Sequence, residues 1–334
     1  MNMIKKLTAL LMAFIMLFAL ASCGSKTEDP SDTDETITSY KKDGKARIAT
    51  VNNGLGLAMT KFNDDKDERA YTYEVTFADS NDKAVAMLEK GEADIATITL
   101  DSAAQLYNKT NGGYQILAVC NVINYFIFTL DTETTSVKDF KGKTVYCAQK
   151  DECANAVLTY IMTENGMSKD DIKIEYVDTY DELISLVKSG KAENIFAAEP
   201  YATKIYEANK KLIAYSLYNG WIDLGDTAPV YACLVAKKDF ISANKELITE
   251  FITYYEVAVN FMAMRLEKTL YEIKEKNKYD SIDDAELSIT LSNMAYIEGS
   301  EMKEHTAVML EALNKVNPDL IGGKLPAEDF YYIP

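Results

Sequence analysis

The sequence predicts an α/β protein of two similar lobes, each a mostly parallel sheet flanked by helices, with a ligand cleft between them. Three observations carry this expectation. The chain of 334 residues suits two domains of about 100–200 residues each. A strand–helix–strand pattern occurs twice in tandem, which implies two units of the same architecture. Long amphipathic helices then follow the second unit and are expected to pack back on the first.

The repeat is explicit. Tyr73–Thr99 reads YEVTFADSNDKAVAMLEKGEADIATIT, and Ile174–Glu199 reads IEYVDTYDELISLVKSGKAENIFAAE. Each gives a strand, an aspartate at its end (Asp79, Asp178) and a helix closing at glycine (Gly91, Gly190), where a helix C-terminus favours a left-handed residue. A second apolar strand follows, Ile95–Ile98 in one copy and Ile195–Ala198 in the other. Each copy is preceded by a strand leading to a helix: Arg47–Val51 to Leu55–Lys61, and Thr144–Cys147 to Ala154–Met162. The aspartates and glycines both repeat at a spacing of 99 residues. Beyond the copies, Tyr231–Ala236 reads as a strand, and Lys245–Ala263 and Met302–Val316 as helices. The lobes expected are 46–130 plus 232–334, and 131–231.

The N-terminus has a different character. Lys5 and Lys6 precede an apolar run, Leu7–Leu20, long enough for a secretory signal and too short for a bilayer span. Leu20-Ala21-Ser22-Cys23 closes it and resembles a bacterial lipobox. That resemblance implies a signal peptide over 1–22 and an acylated Cys23 that holds the protein to the outer face of the cell membrane. Ser25–Lys45 is rich in Ser, Thr, Asp, Glu and Lys with almost no apolar residues and reads as a flexible tether, with too little apolar surface to fold.

Composition excludes several functions. The formal charge is −17, and −19 once Lys5 and Lys6 leave with the signal, which argues against nucleic acid as a partner. His305 is the only histidine and reads as the edge of an apolar helix stripe, so no nucleophile–His–acid set assembles around it. Cys120, Cys147, Cys153 and Cys233 fit no zinc spacing. Cys147 and Cys153 could close a small disulfide loop, or all four could be buried free thiols.

In α/β sheets ligands bind beyond the carboxyl ends of the strands. That rule selects the loops Asn52–Gly56, Thr99–Ser102, Ala148–Cys153 and Glu199–Thr203. The candidate ligand contacts are therefore Asn52, Asn53 and Gly54; Thr99 and Asp101, the latter also a helix N-cap candidate; Gln149; and Glu199 with Tyr201. Pro200 is expected to hold Glu199 extended at the cleft rim. Asn124 and Tyr125 stand at the expected first crossing between lobes. Trp221 is a candidate stacking ring or a packing residue.

These elements resemble a type II solute-binding protein of an ABC importer, in the NMT1-like group serving nitrate, sulfonates, taurine and thiamine or riboflavin precursors. The resemblance is carried by RIATVNNGLGLAM, KGEADIATITLDSAAQLYNKTNG, DFKGKTVYC, FAAEPYATK, CLVAKKDFISANKELITEFI and IGGKLPAEDFYY. It implies the two-lobed periplasmic-binding-protein type II fold and a monomeric, non-catalytic receptor. Such a receptor closes on a small organic solute and delivers it to an ABC permease and its ATPase, without cofactor or metal.

Two stretches depart from the pattern. Where the group carries Gly, Ser or Thr followed by Pro, this chain has Gln149-Lys150-Asp151-Glu152-Cys153, and Thr99-Leu100-Asp101 replaces Pro-Thr-Asn. Carboxylates at a helix N-terminus oppose an anion there. Asp101, Asp151, Glu152 and Glu199 stand against Lys150 alone in the expected cleft loops, which favours a neutral or cationic nitrogen heterocycle, such as a vitamin precursor, over a sulfonate, taurine or nitrate. Rival readings are a sensing or adhesive lipoprotein without transport, and a pyrimidine-synthase-like enzyme. The latter uses histidine and a cysteine-rich run, whereas this chain has His305 alone and no such run.

Overall fold

Strand formation begins at Lys45–Val51 (β1), whose alternate and then continuous burial is that of a strand entering the middle of a sheet. The computed structural model describes residues 43–333 apart from 52, 64–68, 149–150, 226 and the side chains of 276–277. The expected signal peptide, Cys23 and tether, together with Asn52, Gln149 and Lys150, lie outside the described residues.

After β1 come two 3-10 turns, Gly54–Gly56 and Ala58–Asn63, then β2 (Thr72–Ala78), α1 (Asn81–Lys90), β3 (Ile95–Thr99), α2 (Leu100–Lys109) and β4 (Tyr114–Val122). The chain continues through β5 (Tyr125–Thr129), β6 (Thr144–Ala148), α3 (Glu152–Glu164), β7 (Lys173–Val177), α4 (Tyr180–Lys188), β8 (Asn194–Ala198), α5 (Tyr201–Ala208), β9 (Ile213–Ser216) and α6 (Leu217–Ile222). It ends with β10 (Val230–Lys237), α7 (Lys238–Ala243), α8 (Lys245–Ala263), α9 (Glu267–Asn277), α10 (Ile282–Leu291), β11 (Met294–Ile297) and α11 (Gly299–Val316). No described helix is long and apolar enough to cross a membrane.

Two sheets result, ordered β11-β4-β10-β3-β1-β2 and β7-β6-β8-β5-β9. Both are mixed rather than mostly parallel. The repeated strands pair in parallel, β2-β1-β3 in one lobe and β7-β6-β8 in the other. The strand entering from the other lobe inserts antiparallel beside them, β10 in the first sheet and β5 in the second. The pairing of β5 with β8 and β9 puts the first crossing at Ile123–Asn124, beside the Asn124–Tyr125 position expected for it, and assigns β5 to the second sheet although the sequence suggested a lobe boundary at 130. The return crossing precedes Val230, since β10 joins the first sheet from its first residue.

The repeated helix stops behave alike. Gly91 and Gly190 take φ of 71° and 69°, a conformation open to glycine at little cost. The stretch Leu55–Lys61, expected as a helix, is instead the pair of 3-10 turns. A Cβ on Gly56 would stand 2.2 Å from the carbonyl oxygen of Val51, so the chain doubles back too tightly there for an α-helix.

The C-terminal helices do more than cover the first lobe. β11 pairs with β4 of the first sheet, but the α9–α10 hairpin reaches the second lobe. Lys210 pairs with Asp284, and the Asp280 amide donates to Glu207 at 2.9 Å. The hairpin also shares a small core with Leu57 of the first lobe, through Leu270, Ile273, Tyr279, Ala285 and Ile289. It therefore spans both lobes.

Candidate functional site

Two carboxylates from opposite lobes form the centre of the site. Asp101 is the second residue of α2, directly beyond β3. The N-cap position belongs to Thr99, not to Asp101. The β3–α2 corner is pinned by Asn81 at the start of α1. Its Oδ1 accepts from the Thr99 amide at 2.9 Å, and its Nδ2 donates to Ser102 Oγ at 2.8 Å. Ser102 Oγ also accepts from the Thr99 hydroxyl at 3.0 Å. Held at this corner, Asp101 has a buried Oδ1 with no hydrogen-bond partner.

In the second lobe Asp151 is the N-cap of α3, accepting from the Ala154 amide at 2.9 Å. Solvent reaches Asp151, yet enough protein surrounds it that desolvation raises its pKa, against the amides of Ala154 and Cys153 and the nearby Tyr125 hydroxyl. Burial also raises Asp101, the Thr99 hydroxyl opposes the shift, and the charge of Asp151 adds to it. The charge of Asp151, in the second lobe, is thus felt at Asp101 in the first.

Tyrosines close in around them. Tyr125, the first residue of β5, is 2 % exposed, and its hydroxyl makes no well-formed hydrogen bond. Its ring meets Tyr231 edge-on at 5.4 Å and Phe196 at 5.7 Å. Burial, followed by the charge of Asp151, pushes both Tyr125 and Tyr231 far above the usual tyrosine range. The Cys153 thiol is pushed up by burial and then by Asp101 and Asp151. Tyr180 and Tyr201 stack face to face, ring centres 3.4 Å apart and 3° from parallel. Tyr180 is raised by burial and also feels Cys147 and Asp151.

The remaining expected residues divide. Asn53 spends its side-chain oxygen capping its own turn, accepting from the Leu55 amide at 3.0 Å. Gly54 lies against the crossing: a Cβ there would be 2.9 Å from Ser292 Oγ and 3.7 Å from Asn124 Nδ2. Asn124 is 2 % exposed, with an unpartnered Oδ1. Trp221 belongs to α6. It is buried against Tyr160 with its indole N–H on the Thr227 carbonyl at 3.1 Å, so it packs on α3 rather than joining the cluster.

Glu199 is not at an open rim. Thr203 donates to it twice, from N at 3.1 Å and from Oγ1 at 2.7 Å, while Ser288 donates at 3.0 Å and Tyr279 at 3.3 Å. Burial nevertheless lifts it to about 7. Its partners on the α9–α10 hairpin make it a tie between that hairpin and the second lobe.

Tyr231, Tyr180, Cys153 and Asn81 were missed from sequence. Tyr180 lies just beyond the carboxyl end of β7, so the strand-end rule applied to one more loop would have found it. Asn81 and Tyr231 carry no local signal, because their role comes from corners that only the folded sheet assembles. His305 accepts from the Ala228 amide through Nδ1 at 2.6 Å, tying α11 to the return crossing. Cys120, Cys147, Cys153 and Cys233 are all free thiols, and among the described residues no three His, Cys, Asp or Glu side chains converge as a metal site.

A sequence model described as NMT1/THI5 like matches residues 74–266. No curated protein sequence matches the chain. Among solved structures, an ABC transporter protein from Parabacteroides distasonis superposes with a TM-score of 0.69 at 17% identity, covering 87% of this chain and 99% of that one. The periplasmic aliphatic sulphonate binding protein SsuA of Escherichia coli gives 0.66 at 12% identity, over 87% and 92% of the two chains. The alkanesulfonate-binding SsuA of Xanthomonas axonopodis pv. citri, bound to MOPS, gives 0.56 at 14% identity, over 81% and 94%. These likenesses establish the type II periplasmic-binding fold.

Proposed function

Because the chain belongs to the NMT1/THI5-like family, we propose that it is a non-catalytic, extracytoplasmic receptor that closes two lobes on a small organic solute and delivers it to an ABC permease. The solute favoured is a nitrogen heterocycle of the vitamin-precursor kind, and the receptor is a lipid-anchored monomer held at Cys23. The observation that carries this reading is the set of buried, unpartnered polar atoms between the sheets: Asp101 Oδ1, Asn124 Oδ1 and the Tyr125 hydroxyl. Buried polar groups are nearly always paired in a finished fold, so a bound molecule is the natural partner.

A sulfonate is the second reading, since solved structures of the same fold are described as sulfonate-binding proteins. Against it, the Ala154 amide at the start of α3 is already taken by Asp151, and an anion there would meet a carboxylate.

A thermal-shift screen against vitamins, pyrimidines, amines and sulfonates tests the receptor. Binding at 100 times Kd stabilises by about 2.7 kcal/mol, and silence across all four classes would remove the reading. The anchor has its own test: Cys23→Ala is expected to abolish lipid labelling and normal processing.

A further inference from the structure

We propose that the cleft selects an organic cation and that the cation's charge draws the lobes together, its N–H groups falling between Asp101 of the first lobe and Asp151 of the second. The inference rests on the receptor reading and adds to it the sign of the ligand's charge and the force that closes the lobes.

The carboxylates are contributed one per lobe, by the N-terminal turn of α2 and by the N-cap of α3. Among the described residues neither has an ion-pair partner; burial disfavours the charge of both, and Asp101 also feels the charge of Asp151. Two like charges brought together by closure oppose that closure until something positive lies between them. The independent sign of a missing ligand is Tyr125, almost wholly buried, with its hydroxyl near these acids and in no well-formed hydrogen bond. A hydroxyl beside two carboxylates can accept from an ammonium or amidinium N–H that the carboxylates also accept from.

The chemistry narrows the cation to an organic one. A divalent metal wants several hard ligands or a nitrogen and sulfur set, and no group of three candidate ligands converges among the described residues. Tyr231, only partly buried and edge-on to Tyr125, supplies aromatic surface to a planar cation, as does the Tyr180–Tyr201 stack, whose Tyr180 feels the charge of Asp151.

The test compares planar probes of one size and three charges at pH 7.5 and low salt: benzamidine, benzamide and benzenesulfonate, with thiamine as a larger cation. Calorimetry and small-angle scattering are expected to show benzamidine or thiamine binding at least tenfold more tightly than benzamide, with a fall in radius of gyration. Asp151→Asn retains a good N-cap and is expected to cut the cation-to-neutral preference at least tenfold. Benzamide or benzenesulfonate binding as well as the cations, or an unchanged preference in Asp151→Asn, would overturn the cation assignment and leave the receptor standing.

A ligand-free arm tests the closing force separately. The Asp101→Asn/Asp151→Asn double variant is expected to be more compact and higher melting than the parent at pH 7.5, and an unchanged radius and Tm would overturn the inference. No response to probes of any charge would count against the receptor reading itself, with the ligand-free arm then deciding the charge argument.

Discussion

Glu199 holds a carboxyl at 6 % exposure with four hydrogen-bond donors around it, and still its pKa rises from 4.5 to about 7. Desolvation outweighs the donors. The folded state therefore keeps the proton longer than the unfolded chain does. Its contribution to stability is full below pH 4.5, falls as pH rises through that value, and is lost above about 7. Glu199→Gln retains an acceptor for Thr203 and an amide donor for Ser288, without the charge. Urea unfolding is expected to show a gain of about 3 kcal/mol at pH 8 and none at pH 4.5. A loss at pH 8 would mean that the charged bonds outweigh burial. Tyr279→Phe removes one donor and is expected to cost about 1–3 kcal/mol at pH 8. The local sequence located the residue, through Pro200 and the strand before it. It could not show the burial, because Tyr279 and Ser288 lie far along the chain on elements with no local link to Glu199.

At the scale of elements, legibility followed locality. Both copies of the repeated strand–helix–strand unit were readable, since each depends on its own apolar pattern and on a glycine stop that takes a left-handed φ. The mixed character of each sheet was not readable, because β5 and β10 are paired by partners that arrive from the other lobe. The turn after β1 failed for a different reason. Its apolar residues, Leu55, Leu57, Ala58 and Met59, are all buried as a helix would bury them, but the backbone reverses at Gly56. Gly56→Ala places a methyl against the Val51 carbonyl, and backbone cannot yield as a side-chain tip can. The expected cost is about 3 kcal/mol, at the upper end for overpacking, measured by denaturant midpoint. A cost near zero would mean that the turn relaxes freely and does not fix Gly54 against Ser292. The α9–α10 hairpin was the other unreadable element. Glu267–Asn277 reads EKTLYEIKEKN, a polar helix with a narrow apolar edge, and nothing in it names Leu57 or α5 as its neighbours.

The whole molecule places its thiols so that they report on its state. Cys120 and Cys233 are fully buried in β4 and β10, adjacent strands of the first sheet, and burial raises both thiols. Cys147 is raised to about 12 at the end of β6. Cys153 differs, being only half-buried beside Asp101 and Asp151. Because the thiolate is the reactive form, all four should be nearly inert in the closed protein at pH 7.5. Opening the lobes would relieve the desolvation of Cys153, whereas Cys120 and Cys233 need the first sheet to come apart. Pulsed N-ethylmaleimide labelling read by mass spectrometry is therefore expected to modify Cys153 at least tenfold faster than Cys120 or Cys233. A saturating cleft ligand should protect Cys153 and leave the other two unchanged. Iodoacetate, being anionic, should discriminate against Cys153 more strongly than iodoacetamide does, because the same carboxylates repel it. Equal rates at all four cysteines would mean that opening is global unfolding. Labelling of Cys153 indifferent to reagent charge would mean that Asp101 and Asp151 do not set the potential of the cleft.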